Sequence, residues 1–373
     1  MVVFENMKRN IQLDFLRFCG VFLVMVTHTY ITGNTILDKG LSIIKVGGWT
    51  GVDLFFVLSG YLVSGLIIRE QELYGSFNAV RFLIRRGFKI YPTYYLFIIF
   101  SFILGLYSHS IGKPPTLTGL FHEAIFVANY FSNNNGILWS ISVEEHFYFI
   151  LAIVFLILIR FKKIELRSFI FIYAFLLVEG IGFRLYNYFH YSDFNFVRDY
   201  TKSHFRFDSL FFGVLLAYLV NSKSKIIAWI LSYKYRILFS VMAIGFLMTN
   251  FILTRRNYPL LPVINLAVNP VCYGYLMLVV IDIKNIKFVK IISPLAYIGK
   301  YSYSIYLFHF VFDNIAMRLI NHGGVFYYLL YFSSAITGGI IISKCIEYPL
   351  IGFRERYFPS RSKEPAVILT AVT

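Results

Sequence analysis

Charge is what this chain has least of. Only 14% of its 373 residues are Asp, Glu, Lys or Arg, where soluble domains carry about a quarter, and a water-soluble globular fold is excluded on that ground. Acids are scarcer than bases, 19 against 35, leaving a formal net charge of +16. Such an excess is also found in nucleic-acid binders. Here the cations sit in short segments between apolar runs, as orientation signals do, so no nucleic-acid partner is expected. Three cysteines, Cys19, Cys272 and Cys345, lie in or beside apolar stretches with no metal-like spacing. They leave neither a disulfide framework nor a zinc site, and no metal is expected. P-loop, GxSxG, HExxH and EF-hand patterns are all missing, which removes the usual signatures of nucleotide hydrolysis, the serine-hydrolase elbow and simple zinc chemistry. Short alternating segments are absent, which argues against a β-barrel, and no internal repeat supports a transporter built from two halves.

What the chain has is 58% hydrophobic residues, in repeated runs of about 20, the length that crosses a bilayer. The expected fold is all-α, a polytopic membrane helical bundle of about ten transmembrane helices. The expected spans are 12–31, 50–68, 88–107, 137–159, 168–186, 204–220, 235–253, 262–281, 300–319 and 325–344. The basic clusters Lys8/Arg9, Arg69 to Lys89, Arg160 to Arg167, Lys223 to Arg236, Lys284 to Lys300 and Arg354 to Lys363 then share one side. The opposite segments hold only Lys39, Lys45, Lys113, Arg198, Lys202, Arg255 and Arg256. This asymmetry predicts both termini in the cytoplasm, N-in and C-in. The first span has no small-residue cleavage site and keeps a charge inside, so it reads as a retained helix and not a signal peptide. Residues 1–358 read as one membrane domain and 359–373 as a flexible cytoplasmic tail.

Ionisable groups inside a span are costly and face a bundle interior or a wet cavity, which makes each one a functional candidate. The first span, LDFLRFCGVFLVMVTHTY, carries Asp14, Arg17 and His28. Arg17 and His28 are eleven residues apart, which returns them to within about 20° of one helix face and separates them by about 16 Å. In the second span, Ser59 and its neighbouring glycines serve close helix packing. Arg81, Arg85, Arg86 and Lys89 open the third. By spacing alone they read as an orientation and headgroup cluster; arginines in such number also suit a phosphorylated ligand. In LWSISVEEHFY, Ser140, Glu144 and Tyr148 share a face at i, i+4 and i+8, with Glu145 and His146 beside them. A carboxylate near an imidazole orients it in acyl-transfer sites. Arg206 and Asp208 read as an ion pair, His309 as an intramembrane imidazole with Asp313 one turn on, and Glu347 before Pro349 as a helix stop.

In order, these motifs resemble the membrane acyltransferase-3 family, bacterial integral-membrane enzymes that acylate cell-envelope glycans. The resemblance rests on LDFLR with His28 eleven residues after Arg17, FFVLSG, FLIRRGFKIYP, WSISVEEHFY, FRFDSLFFG, GKYSYSIYLFH and EYP. The chain departs from the family at Cys19-Gly20, where members more often have a glycine directly after the arginine, and at Lys89, where an arginine is usual. Many members carry an additional extracytoplasmic esterase-like domain, and no segment of these 373 residues is expected to form one. The resemblance implies a bacterial cytoplasmic (inner) membrane protein with acyl-CoA, foremost acetyl-CoA, as donor. The implied acceptor is a hydroxyl of a surface polysaccharide or lipid-linked glycan, with membrane lipids as surroundings. Arg17, Arg85, Arg86 and Lys89 then hold the CoA phosphates, His28 is the general base and Glu144 orients it; direct transfer and an acyl-histidine relay both remain open. Asp14, Ser59, Ser140, Glu145, Arg206, Asp208, His309 and Glu347 are supporting polar groups. The alternative is a flippase for a glycan or lipid intermediate, which needs no basic donor site.

Overall fold

A computed structural model of the protein describes residues 10–31, 36–107, 114–191, 195–253, 260–320 and 324–362. Lys8, Arg9, Lys113, Arg255, Arg256 and the expected tail from residue 363 onward lie outside the described residues. The helices are α1 Ile11–His28, α2 Ile36–Gly47, α3 Gly51–Tyr74, α4 Ala79–Tyr107, α5 Leu117–Ala124, α6 Trp139–Arg160, α7 Leu166–Tyr191 and α8 Phe196–Asp199. They continue with α9 Phe207–Asn221, α10 Lys225–Ile230, α11 Tyr233–Ile252, α12 Leu261–Asp282, α13 Ile286–Gly299, α14 Ser302–Leu319, α15 Val325–Ile342 and α16 Tyr348–Tyr357. No strand occurs among the described residues.

Each expected span coincides with a helix, and eight helical stretches are long and apolar enough to cross a membrane. The two that fall short are α9, which has only 15 residues, and α14, which carries His309, Asp313 and Arg318 in its 18. Both are core elements: eleven residues of α9 are buried, and so are Ser304, His309 and Asp313 of α14. Helices walled in by other helices need less apolar surface than those that meet lipid, which is why hydropathy alone underrates them.

Several local expectations change. Helix α1 starts at Asn10, whose side chain accepts from the Leu13 N–H at 3.1 Å. It stops at His28, because Thr29 turns extended while its hydroxyl caps the Met25 carbonyl at 2.9 Å. His28 is thus the last residue of its helix and not deep within it. Helix α4 begins at Ala79, nine residues before the expected span 88–107, which puts Pro92 thirteen residues inside it. Glu347 is no helix stop either: Ser343–Glu347 form a π-helical turn that carries α15 into α16, where Pro349 follows.

Close helix contact is bought by glycine in this bundle. A Cβ at Gly60 on α3 would lie 1.9 Å from the Leu210 carbonyl oxygen on α9, and one at Gly213 would lie 2.3 Å from that of Val57. On the other side of the bundle, a Cβ at Gly299 would meet the Asp14 carbonyl at 1.8 Å, so α13 lies directly on α1. Gly60→Ala is therefore expected to cost about 1–3 kcal/mol through backbone displacement, read as a lower melting temperature of the detergent-solubilised protein. Gly182→Ala, on α7 with nothing within 4 Å, is the control expected to leave it unchanged.

Between α3, α9, α11 and α12 lies a fully buried polar cluster. Arg206 forms an ion pair with Asp53, and both side chains are 0% exposed. Asp53 also accepts from Asn269 at 3.0 Å, and Asn250 bonds to both Asn269 and Asn265. Asp208 instead pairs with Arg184 at 2.8 Å. The expected Arg206–Asp208 pair is thus replaced by two separate pairs, since neighbours so close in sequence at a helix start point to different faces. At the far end of α4 a loop folds around Glu123, which accepts from the Asn134 and Asn135 N–H groups at 2.7 and 2.6 Å. Burial pushes that carboxyl up from its ordinary pKa, while these amides oppose the shift.

Candidate active site

Helices α1, α3, α4, α6 and α14 enclose a cavity of about 360 Å³. Its lining on α3 extends from Val52 to Arg69, about 25 Å of helix. Arg17, Arg69, Arg86 and Lys89 gather where α3 ends and α4 begins, whereas Ser140, Glu144, Tyr148 and Tyr306 lie on α6 and α14. Apolar side chains such as Phe55, Leu62 and Val63 form the walls between. The cavity is thus a slot with cations from α1, α3 and α4 and with hydroxyls and a carboxylate from α6 and α14, the two sets meeting where Arg86 lies against Tyr148.

The cations are held differently. Arg17 is paired with Asp14 at 2.5 Å, one turn earlier on α1. Lys89 forms an ion pair with Glu347, which the π-helical turn of α15 brings round and which also accepts from Ser343 at 2.8 Å and Ser304 at 3.2 Å. The Arg86 guanidinium lies 5.4 Å from the Tyr148 ring and 5.9 Å from the Phe82 ring, and the nearby Glu144 and Glu145 carboxylates attract it without a direct ion pair among the described residues. Arg85 faces away from the slot: it bonds Glu355 at 2.8 Å and the Phe358 carbonyl, and it lines a second cavity against α16.

On α6 the shared face of Ser140, Glu144 and Tyr148 appears as read from the sequence. Tyr148 donates to Glu144 at 2.8 Å and lies 2.8 Å from the Ser59 hydroxyl on α3. Ser140 is 2.6 Å from the Tyr306 hydroxyl, which also donates to the Ile137 carbonyl. Glu145 turns the other way and accepts from Tyr91, and His146 meets Ser203 at 2.7 Å. The two adjacent glutamates thus serve different partners, and neither is bonded to an imidazole among the described residues.

His28 finds its partner on α14. Its Nδ1 lies 3.1 Å from Nε2 of His309, whose own Nδ1 is 2.6 Å from the Tyr306 carbonyl oxygen. A carbonyl only accepts, so Nδ1 of His309 carries the hydrogen. For a neutral His309 ring Nε2 is then an acceptor, and His28 donates to it through Nδ1. Nε2 of His28 is left with its lone pair, as a proton acceptor requires. The ring also packs on Phe310, with centroids 4.5 Å apart. The position expected for Glu144 is occupied by His309, 281 residues from His28 in sequence. Among the described residues the cavity lining includes Tyr306 but not His28. Tyr306 therefore joins the two, with its hydroxyl at the slot and its carbonyl on the histidine pair.

Arg206 and Asp208 lie in the scaffold and not at the slot. Tyr148, Tyr306 and Arg69 belong to it although the sequence did not single them out as site residues. The i, i+4, i+8 spacing carried a signal for Tyr148, and Arg69 began a basic cluster; nothing local marked Tyr306.

A family model described as "Acyltransferase domain" matches residues 10–344. Over 364 aligned residues the chain is 27% identical to a protein named "Putative O-acetyltransferase" from Staphylococcus aureus (strain MSSA476), covering 90% of this chain and 56% of the relative. It is 27% identical to "O-acetyltransferase OatA" of S. aureus (strain NCTC 8325 / PS 47), covering 71% of this chain and 46% of that protein. It is 32% identical over 135 residues to "Peptidoglycan O-acetyltransferase OatA" of Listeria monocytogenes, covering 31% of this chain and 21% of that one. The chain spans about half the length of the curated relatives it matches along most of its own. No solved structure matches it. A match that takes in every helix lining the slot, from Arg17 to Tyr306, shows that the chain belongs to the acyltransferase-3 family.

Proposed function

We propose that this protein is a multi-pass enzyme of the bacterial cytoplasmic membrane that transfers an acyl group, acetyl foremost, from cytoplasmic acyl-CoA to a hydroxyl of a cell-envelope glycan. The observation that carries the reading is the slot itself, with four cations from α1, α3 and α4 and the His28–His309 pair behind Tyr306. Arg17 and His28 stand about 16 Å apart along α1, comparable to an extended pantetheine arm. With both termini in the cytoplasm, the basic end faces the donor pool and His28 the outer side. The relatives named as O-acetyltransferases support acetyl as the acyl group, and the Listeria protein's name supports a glycan acceptor.

In the proposed step the acceptor oxygen attacks the thioester carbonyl carbon while Nε2 of His28 takes the hydroxyl proton. The C–O bond forms, the C–S bond breaks, and the proton on His28 passes to the departing thiolate. His309 fixes the tautomer and orientation of His28, the post first read for Glu144. Glu144 instead holds Tyr148, which meets Ser59, along the slot, where they position the donor arm. Arg17, Arg86 and Lys89 serve the donor's phosphates from inside the slot, and Arg85 serves them from the second cavity.

The test is transfer from labelled acetyl-CoA in inverted membranes or with purified protein, supplied with envelope glycan acceptors. Label arriving in glycan as an alkali-labile ester is the expected result; translocation of a glycan lipid without acyl-CoA, and no ester, points to a flippase. His309→Ala is expected to lower kcat by about 10- to 100-fold with KM for the donor nearly unchanged. His309→Gln, whose side-chain oxygen can accept from His28, is expected to recover part of that loss. Equal kcat in His309→Ala and wild type removes the orienting role.

A further inference from the structure

The second cavity, also about 360 Å³, adjoins the slot and shares Leu66, Arg86 and Lys89 with it. One wall is α3 and α4; the other is α16 and residues 360–362, which follow the end of the family match at residue 344. The expected start of the tail at Pro359 falls inside this wall, where Ser362 is buried. Six cations, Arg81, Arg85, Arg86, Lys89, Arg354 and Arg361, line the cavity with only two carboxylates, Glu70 and Glu355. Glu70 takes Arg81 at 2.7 Å. Glu355 is divided between Arg85 at 2.8 Å and Arg354 at 2.5 Å, and its side chain is still 40% exposed. Arg361 lies over the Tyr74 ring at 5.5 Å without a carboxylate partner among the described residues. The buried Nε of Arg354 also lacks an acceptor. Like charges repel, so an anion placed between Arg85, Arg354 and Arg361 draws them together, and guanidinium groups match phosphate oxygens in pairs.

We propose that Arg354 and Arg361 of the C-terminal segment complete the site for the phosphates at the donor's nucleotide end, and that Glu355 is its resident anion. Without donor, Glu355 holds Arg85 and Arg354 in place; an incoming phosphate takes over both and frees the carboxylate. This rests on the acyl-CoA reading. A donor is favoured over a lipid headgroup because the cavity adjoins the slot, with Leu66, Arg86 and Lys89 lining both. A ligand with a polyanionic end and a long thin arm fills both spaces.

The test is calorimetric binding to the purified full chain of two probes, coenzyme A and adenosine 3′,5′-bisphosphate, which keeps two of the three phosphates and has no arm. The variants are Arg361→Ala, Arg361→Lys and Glu355→Gln. Arg361→Ala is expected to weaken both probes by about tenfold, one charge-assisted hydrogen bond, with partial rescue in Arg361→Lys. Glu355→Gln, which removes the competitor, is expected to bind both several-fold tighter, more so at low salt. If wild type binds coenzyme A and all three variants match it, the C-terminal wall is no part of the site while the donor reading stands. If neither probe binds wild type, yet phosphatidylglycerol raises its melting temperature and not that of Arg361→Ala, the cavity holds a lipid headgroup. That result overturns both the proposal and the donor reading.

Discussion

His28→Ala is expected to lower acyl transfer by about 10²- to 10⁴-fold, the usual worth of a positioned general base, while coenzyme A binds nearly as well as to wild type. The separation follows from where the groups stand. His28 closes α1 beside His309 and Phe310, outside the slot lining, and no cation of the slot bonds to it. Removing the imidazole therefore leaves Arg17, Arg86 and Lys89 as they are. Arg17→Ala is expected to do the reverse, raising KM for the donor more than it lowers kcat, because it strips one charge from the cations of the slot and nothing from the histidine pair. Labelled acetyl transfer together with equilibrium binding measures both. Undiminished turnover in His28→Ala would move the base to the slot wall, where Glu144 is the carboxylate best placed to take the proton.

How far the sequence could be read depended on how far along the chain each partner lay. Spans were legible because each is a local run of apolar residues, and the face shared by Ser140, Glu144 and Tyr148 was legible because helix period is local too. Partners across the bundle were not. His28 and His309 are both conspicuous as intramembrane imidazoles, yet no period or spacing relates residues 281 apart. The same gap hid Asp53 from Arg206, so that Arg206 was matched with the nearer Asp208. Glu347 shows a subtler limit. A Glu and a Pro two residues apart read as a helix end, whereas an added residue in the turn keeps the helix going and rotates the carboxylate onto Lys89. The end of α1 was misread for the opposite reason: Thr29 and Tyr30 are compatible with a continuing apolar run, and what stops the helix is capping and the Tyr327 hydroxyl that takes the Tyr30 N–H at 3.0 Å.

Asp53→Ala is expected to cost about 3–5 kcal/mol, the penalty for leaving one member of a buried ion pair alone, and to yield little monodisperse protein. Arg206 has no second ion-pair partner among the described residues: its side chain is fully buried, the Tyr200 and Phe56 rings lie 4.7 and 5.2 Å away, and the Asp208 carboxylate that also attracts it is already paired with Arg184. Those rings soften the penalty without replacing a carboxylate. Asp53→Asn is expected to fall between, since an amide can still accept from Asn269 but brings no charge to Arg206. The decisive variant is the double replacement Asp53→Leu with Arg206→Met, which removes both charges at similar volume and is expected to regain most of the melting temperature. Its activity separates scaffold from chemistry. Asp53 lies on α3 between Val52 and Phe55 of the slot lining, but its bonds run to α9 and α12, away from the slot. A double variant that folds and transfers acyl groups at near the wild-type rate assigns the pair to holding α3 in register. A double variant that folds and is inactive makes Asp53 and Arg206 part of the reaction path, and the scaffold assignment fails.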